Sequence, residues 1–432
     1  MRYTLLILLM IMLSAASARE LTLEQALRLA EEHSHALKET EANRLSAEKA
    51  ISAAQAERFP TLSLDATAKY VDEVPSLNIN IPGMFQLSRD FGSNESYQVD
   101  LRLTVPIYTG GRISSAIATA RSGLDYRTAM NALERDRVYL QARFDYFGYI
   151  KALALGRAAD ASLRRTAILR DDIRSLYNAG AADSVDLLEA HLASAKADFQ
   201  IRQAGINTES QRINLVSRLG LSAREQVELS DTIPDPPQSL SQSDSTGQRP
   251  ELQAALAGVS IAEGRVRSEQ AGYLPTIAAF GGYSYGKPNI DPFSDKWNDN
   301  FTVGTRLQWS FNLGGSTRSK KSAATYERDA SQRRCDNVAE TIERETDLAY
   351  EQFKLAHQRY QSAATEWQLA GANYDLAREQ HKNGALTSNR LLEIEAALTQ
   401  VEASLAACKV DFYIAQSAYY FALADERLGK GL

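Results

Sequence analysis

The chain has 432 residues, enough for two or three domains or one large one. Its formal net charge is −6, so its electrostatics give no support to a nucleic-acid role. Beyond the first 20 residues no apolar run approaches the roughly 20 needed to cross a bilayer as a helix, so any membrane segment must be a closed set of strands.

The chain begins with a leader pattern. Arg2 supplies positive charge, Leu5 to Leu13 form an apolar core, and Ala16-Ser17-Ala18 is an A-x-A cleavage pattern before Arg19. Residues 1–18 read as a signal peptide and are set aside from fold reasoning. The apolar run is too short for a permanent anchor, and no cysteine follows it to carry a lipid.

Glu20 to Arg58 reads as helix, with Leu23, Ala26, Leu27 and Ala30 at helical spacing and Pro60 as the stop. Thr61 to Tyr70 changes period. Leu62, Leu64, Ala66, Ala68 and Tyr70 alternate with Thr61, Ser63, Asp65, Thr67 and Lys69. Residues 71–94 carry Pro75, Asn78, Pro82 and Gly83 and read as a loop. Tyr97 to Val105 alternates again. About ten residues of apolar/polar alternation is the pattern of a tilted outer-membrane strand, apolar toward lipid and polar toward a lumen. The competing reading is a half-buried strand of a soluble sandwich. Charges on the polar side (Asp65, Lys69, Asp100 and Arg102) favour a wet lumen.

Gly110-Gly111 then opens an uninterrupted helical stretch, Ile113 to about Asn178, of about 66 residues or about 100 Å. That length implies a coiled coil or a helical tube. Asn178 to Asp183 holds a C-cap glycine followed by an N-cap, and a second helix runs from Ser184 to about Leu219. Residues 221–249, rich in Ser, Asp, Pro and Gln, read as a linker.

The order then repeats. Pro250 to Gly272 reads as helix, and Leu274-Pro275-Thr276-Ile277 matches Phe59-Pro60-Thr61-Leu62. A strand over Ile277 to Tyr285 precedes a loop with Pro288, Asn289 and Pro292. Phe301, Val303, Thr305, Leu307, Trp309 and Phe311 alternate with polar or small residues. Gly314-Gly315 opens a helix to about Lys382, Asn383 to Thr387 is a second tip, and a last helix reaches about Leu428. Gly110 to Gly314 and Gly180 to Gly384 are both 204 residues apart. Equal spacing of two unrelated landmarks marks an internal duplication, 19–220 and 250–432.

In the last helix Leu391, Leu398, Leu405, Phe412 and Tyr419 are seven apart, as are Ile394, Val401, Cys408 and Ala415. This is a knobs-into-holes seam. Cys335 and Cys408 sit on opposite arms of the second hairpin at heights differing by about 37 Å. A disulfide needs Cα atoms within about 7 Å, so both read as small core residues. The five histidines form no ligand cluster, and Ser46-Ala47-Glu48-Lys49 lacks the companion motifs of an S-x-x-K hydrolase. No phosphate or dinucleotide loop occurs. The reading is therefore no enzyme, no metal and no cofactor.

Four strands cannot close a barrel, since about eight is the smallest known number. Three copies give twelve. The whole mature chain resembles the TolC-like outer membrane efflux protein family. The resemblance rests on Pro60-Thr61 and Pro275-Thr276, the Gly110-Gly111 and Gly314-Gly315 junctions, and two tips. The tips read Gly180-Ala181-Ala182-Asp183-Ser184-Val185-Asp186-Leu187-Leu188-Glu189-Ala190 and Gly384-Ala385-Leu386-Thr387-Ser388-Asn389-Arg390-Leu391-Leu392-Glu393.

The resemblance implies an α+β fold, mostly α. Internally duplicated long α-helical hairpins form a periplasmic tunnel, and four β-strands join a trimeric 12-stranded transmembrane β-barrel in outer-membrane lipid. It implies an exit duct for a tripartite pump or a type I secretion system. The partners would be a periplasmic adaptor and an inner-membrane pump of RND or ABC type. The adaptor would dock on Gly180, Ala181, Asp183, Ser184, Val185, Gly384, Ala385, Leu386, Thr387 and Ser388. The family often closes this end with acidic rings; here the matching positions carry Arg390 and Glu393. Arg390 is expected to pair with Asp186 or Glu189 of the adjacent hairpin as a latch, against the alternative of a solvated surface arginine. A passive porin and a structural coiled-coil stalk are the competing classes.

Overall fold

The computed structural model describes residues 19–90, 93–240, 249–291 and 296–432. The signal peptide, residues 241–248 of the linker and Pro292 lie outside them. The element order is β1 (Arg19–Leu21), α1 (Leu23–His33), α2 (His35–Ala56), β2 (Thr61–Tyr70), β3 (Ser76–Ile81), β4 (Phe85–Asp90), β5 (Glu95–Tyr108), α3 (Arg112–Asn178) and α4 (Ser184–Arg218). It continues with β6 (Val227–Leu229), α5 (Pro250–Ala271), β7 (Thr276–Lys287), β8 (Asn298–Gln308), α6 (Ser316–Lys382), α7 (Ser388–Leu423) and a final 3₁₀ turn (Glu426–Gly429). The chain divides into two compact units, residues 43–128 with 253–336, and the rest.

The first of these units holds a four-stranded antiparallel sheet in the order β2-β5-β7-β8. The sequence places all four strands within a few residues. The Gly110-Gly111 junction has a steric cause. Gly110 has φ +63°, and a Cβ there would meet the Ala271 carbonyl oxygen and the Leu274 Cβ at 2.9 Å. Only glycine fits both demands. Residues 71–94, expected as loop, instead contain the β3–β4 hairpin, turned at Gly83 with φ +81°. Its alternation of Leu77, Ile79 and Ile81 is short and flanked by Pro75 and Pro82, which hid it.

The other unit is cored by Leu21, Leu23, Leu27, Tyr146, Phe147, Leu215, Leu219 and Phe412. Here three expectations change. The expected single helix over Glu20 to Arg58 begins as β1, which pairs in parallel with β6, and breaks at Ser34. The Ser34 hydroxyl accepts from the Leu37 N–H at 3.1 Å, a local alternative to continuing the helix. The last helix stops at Leu423 rather than about Leu428, because Ala424 turns left-handed at φ 51°.

The linker, as far as it is described, is a strap. Asp231 accepts from the Leu23 N–H at 2.7 Å and from the Tyr146 hydroxyl at 2.8 Å. Tyr413 donates to the Pro234 carbonyl, Lys409 pairs with Asp235 at 2.7 Å, and the His357 ring bonds the Pro237 carbonyl. Its polar composition reads as solvated chain, but its carbonyls and carboxylates are acceptors for helix side chains.

Arg143 holds the C-terminal turn. It is buried and donates to the carbonyls of Leu428 (2.7 Å), Arg427 (2.8 Å) and Lys430. Arg143→Met should cost on the order of 2–3 kcal/mol, the scale of buried charge-assisted bonds. It should also release residues after Ala424 to carboxypeptidase; an unchanged melting temperature and digest would refute the role.

Burial and a 2.6 Å bond to Glu31 push the Tyr139 hydroxyl up to about 12. An unfolded tyrosine ionises near 10. Between about pH 10 and 12 only the unfolded chain loses this proton, so stability falls as pH rises through that window. Tyr139→Phe should flatten this alkaline decline in a pH series of melting curves.

Candidate functional site: the two-faced sheet and the helix tips

The strand register sorts the sheet into two faces. On one, Asp65, Asp100, Ser284 and Asn300 form a row across the four strands. The next rows are Ser63, Arg102, Gly282 and Thr302, then Thr61, Thr104, Phe280 and Gly304. Arg306 lies opposite Ala278, with its guanidinium 5.7 Å from the Phe280 ring centre. This face is polar and charged. It brings together Asp65, Asp100 and Arg102, as the alternation expects.

The other face carries the rows Leu62–Leu103–Gly281–Val303 and Leu64–Leu101–Tyr283–Phe301. These large apolar side chains are exposed, Leu64 and Phe301 each by 70 %. A continuous exposed apolar surface of this kind is untenable in water and natural in lipid. Aromatic side chains gather at both ends. Trp297 stacks on Tyr285 at 5.1 Å and on Tyr97 at 6.2 Å. Trp309 lies 4.7 Å from Phe311 and donates to the Tyr273 carbonyl. The stretch from Trp297 to Trp309 spans about 40 Å along a strand. At a tilt of about 40° that becomes about 30 Å, the spacing of two interfacial girdles around an apolar band.

The helix ends at the two tips make the same backbone bonds. At the first, Gly180 has φ +74°, its N–H donates to Tyr177 O, and the Ala181 N–H donates to Leu176 O. At the second, Gly384 has φ +73°, with bonds from Gly384 to His381 and from Ala385 to Gln380. This is the glycine-terminated helix end. Asp183 caps the next helix by accepting from the Val185 and Asp186 N–H groups, and Thr387 accepts from the Arg390 N–H.

Of the expected docking residues, Gly180, Ala181, Asp183, Ser184, Val185, Gly384, Ala385 and Thr387 are exposed. Ser388 is buried and Leu386 packs on an apolar cluster with Leu391 and Leu398, so these two support the tip from within. Arg390 pairs with Glu393 of its own helix at 2.7 Å. Among the described residues it makes no bond to Asp186 or Glu189 within the chain.

Sequence reasoning missed the strongest polar feature near the tips. Arg165 on α3 donates to Glu395 (3.2 Å), Glu402 (2.7 Å) and Thr399 (3.0 Å) on α7, and Ser162 donates to Glu395. Glu395 is 3 % exposed. Burial works against the Arg165 charge, but the bonds to Glu402 and Glu395 outweigh it and raise its pKa. Glu395, Thr399 and Glu402 are four and three apart on one face, a signal available in the sequence but without a visible partner. The heptad seam of α7 is found as read: Leu391, Ile394, Leu398, Phe412 and Tyr419 are buried, and Val401, Leu405, Cys408 and Ala415 are half-buried. Cys335 and Cys408 are free thiols. No candidate metal cluster and no helix apolar enough to cross a membrane occurs among the described residues.

A sheet with one lipid-type face and one wet face, joined in one chain to duplicated long helical hairpins, defines the class of outer-membrane channels with helical extensions. The family model for outer membrane efflux proteins matches residues 26–221 and 243–425. The chain belongs to that family: it is an outer-membrane efflux channel, with its helical part in the periplasm. Its structure is similar to the outer-membrane channel OprN, with TM-score 0.79 and 18% identity over 94% of this chain and 90% of that one. It is also similar to VceC from Vibrio cholerae (0.76, 17%, 93% and 96%) and to CmeC from Campylobacter jejuni (0.75, 16%, 93% and 85%). No curated protein sequence matches the chain.

Removing one partner of a buried ion pair costs roughly 3–5 kcal/mol, mostly from the stranded charge. Arg165→Met should therefore lower the melting temperature in detergent markedly. Adding Glu395→Leu should recover part of the loss; no recovery would mean the stranded carboxylate is not its cause.

Proposed function

We propose that three copies of this chain assemble into one duct, each giving four strands to a closed 12-stranded barrel and two hairpins to a periplasmic tunnel. One observation carries the reading: the sheet ends in two strands, β2 and β8, of ten and eleven residues, each paired on one side only among the described residues. Open edges cannot face hydrocarbon. The β8 edge of one copy therefore pairs with the β2 edge of the next, and the apolar face turns to lipid while Asp65, Asp100, Arg102 and Arg306 line the water path. The two repeats, residues 19–220 and 250–432, then alternate around the tunnel.

In this reading the exposed tip residues dock a periplasmic adaptor, and an inner-membrane pump of RND or ABC type, or a type I secretion complex, supplies the energy. The chain itself performs no catalysis. Arg390, Glu393, Asp186 and Glu189 form the constriction. Arg390 sits in a pair with Glu393 that is solvent-exposed and therefore weak, so it can exchange to Asp186 or Glu189 of a neighbouring hairpin at small cost.

Light scattering of the detergent-solubilised protein should give three chains per particle, and planar bilayers should show small, flickering conductance. Arg390→Ala should raise that conductance if the latch holds the constriction. Unchanged conductance removes the latch. A monomer with large static pores would favour a porin, and loss of outer-membrane fractionation a periplasmic stalk.

A further inference from the structure

Two long rows of exposed apolar side chains run along helices of one unit. On α4 they are Val185, Leu192, Phe199, Ile206 and Ile213, from 40% exposed at Ile213 to 72% at Ile206. On α6 they are Leu348, Leu355, Leu369 and Leu376, from 45% at Leu355 to 67% at Leu369, with Ser362 in the middle position. Both rows keep a spacing of seven, the period of a helix seam built to be covered by another helix.

The duplication says what covers them. Within the chain, α3 packs antiparallel on α7. Arg143 meets Ser417 at 3.5 Å, Phe147 stacks on Tyr413 at 5.7 Å, Lys151 pairs with Asp411 at 2.8 Å, and Arg165 with Glu395 at 3.2 Å. In each pair the two residue numbers add to 560 or 562. The repeat counterpart of α3 is α6, 204 residues on, and that of α7 is α4, 204 residues back. One shift cancels the other. If the same contact is made between α6 and α4, residue n on α6 lies beside about 561 − n on α4.

The exposed rows meet this condition position by position. Leu348 falls beside Ile213, Leu355 beside Ile206, Ser362 beside Phe199, Leu369 beside Leu192 and Leu376 beside Val185, each pair adding to 561. The register comes from α3 and α7 alone and uses no exposure, so the agreement is independent of it. Within one chain both rows are uncovered, so the partner is another copy.

We infer that the α6 row of one copy packs antiparallel on the α4 row of the neighbouring copy in this register. The seam rests on the assembly of copies proposed above. Its chemistry differs from that of its counterpart within the chain. Where α6 has Leu355, Leu369 and Leu376, α3 has Lys151, Arg165 and Asp172; where α4 has Leu192, Phe199 and Ile213, α7 has Ala396, Ala403 and Ser417. Inside a chain the hairpins are tied by ion pairs as well as by apolar contact such as Phe147 on Tyr413, whereas the seam between chains is apolar. Salt screens exposed ion pairs and leaves apolar contact intact.

The test is cysteine cross-linking of full-length protein in which Cys335 and Cys408 are replaced by alanine. Leu369→Cys with Leu192→Cys should give covalent dimers and trimers on oxidation, as should Leu355→Cys with Ile206→Cys. Leu369→Cys with Phe199→Cys, displaced by about 10 Å along the helix, should not. The registered cross-links should form equally at low and high salt. Light scattering of the same samples separates the two readings. Trimers that cross-link only in the displaced pair, or in none, overturn the seam and leave the assembly standing. Monomers overturn both.

Discussion

In hydrocarbon every backbone N–H and C=O must find its partner inside protein. The sheet meets this demand for β5 and β7, which are paired on both sides, and leaves it unmet along one edge each of β2 and β8. An isolated chain is therefore an unfinished object in the membrane. The apolar outer face, the polar inner face and the aromatic ends all presuppose closure by further strands. In the proposed assembly, closure comes by repetition of one chain rather than by lengthening it.

Repetition also governs the helices. The two halves share their junctions, tips and hairpin lengths, yet their contact surfaces have diverged. One copy of the helix–helix seam carries Arg165, Glu395, Glu402, Lys151 and Asp411 and is satisfied inside the chain. The other carries leucine, isoleucine and phenylalanine and is not. A buried ion pair specifies geometry more than it adds stability, which suits a seam that forms as one chain folds. Apolar contact is non-directional and scales with area, which suits the seam inferred between copies.

The strap over residues 221–240 and the buried Arg143 work by another principle. Both satisfy carbonyl groups of irregular backbone that helices cannot serve. They let a connecting segment and a chain end lie packed against helices without orphaned acceptors.

Much was legible in the sequence. The strand faces, the Gly-Gly junctions, the tips and the α7 seam are local patterns, written by neighbours a few residues apart, and periodicity reports them directly. Gly110, Gly180 and Gly384 are readable because positive φ strongly favours glycine. What the sequence left open depends on residues far apart. The β1–β6 pairing and the strap are of this kind. So is Glu395, which reads as one more helix-surface glutamate until α3 brings Arg165 and Ser162 to it. Sequence alone determined the long helices, the four long strands and their repeated order, because hydrophobic period and backbone sterics act locally. Only the tertiary structure decided which of the two equivalent helix seams is closed within the chain and which stays open, because that depends on which distant side chains meet and bury each other's charge.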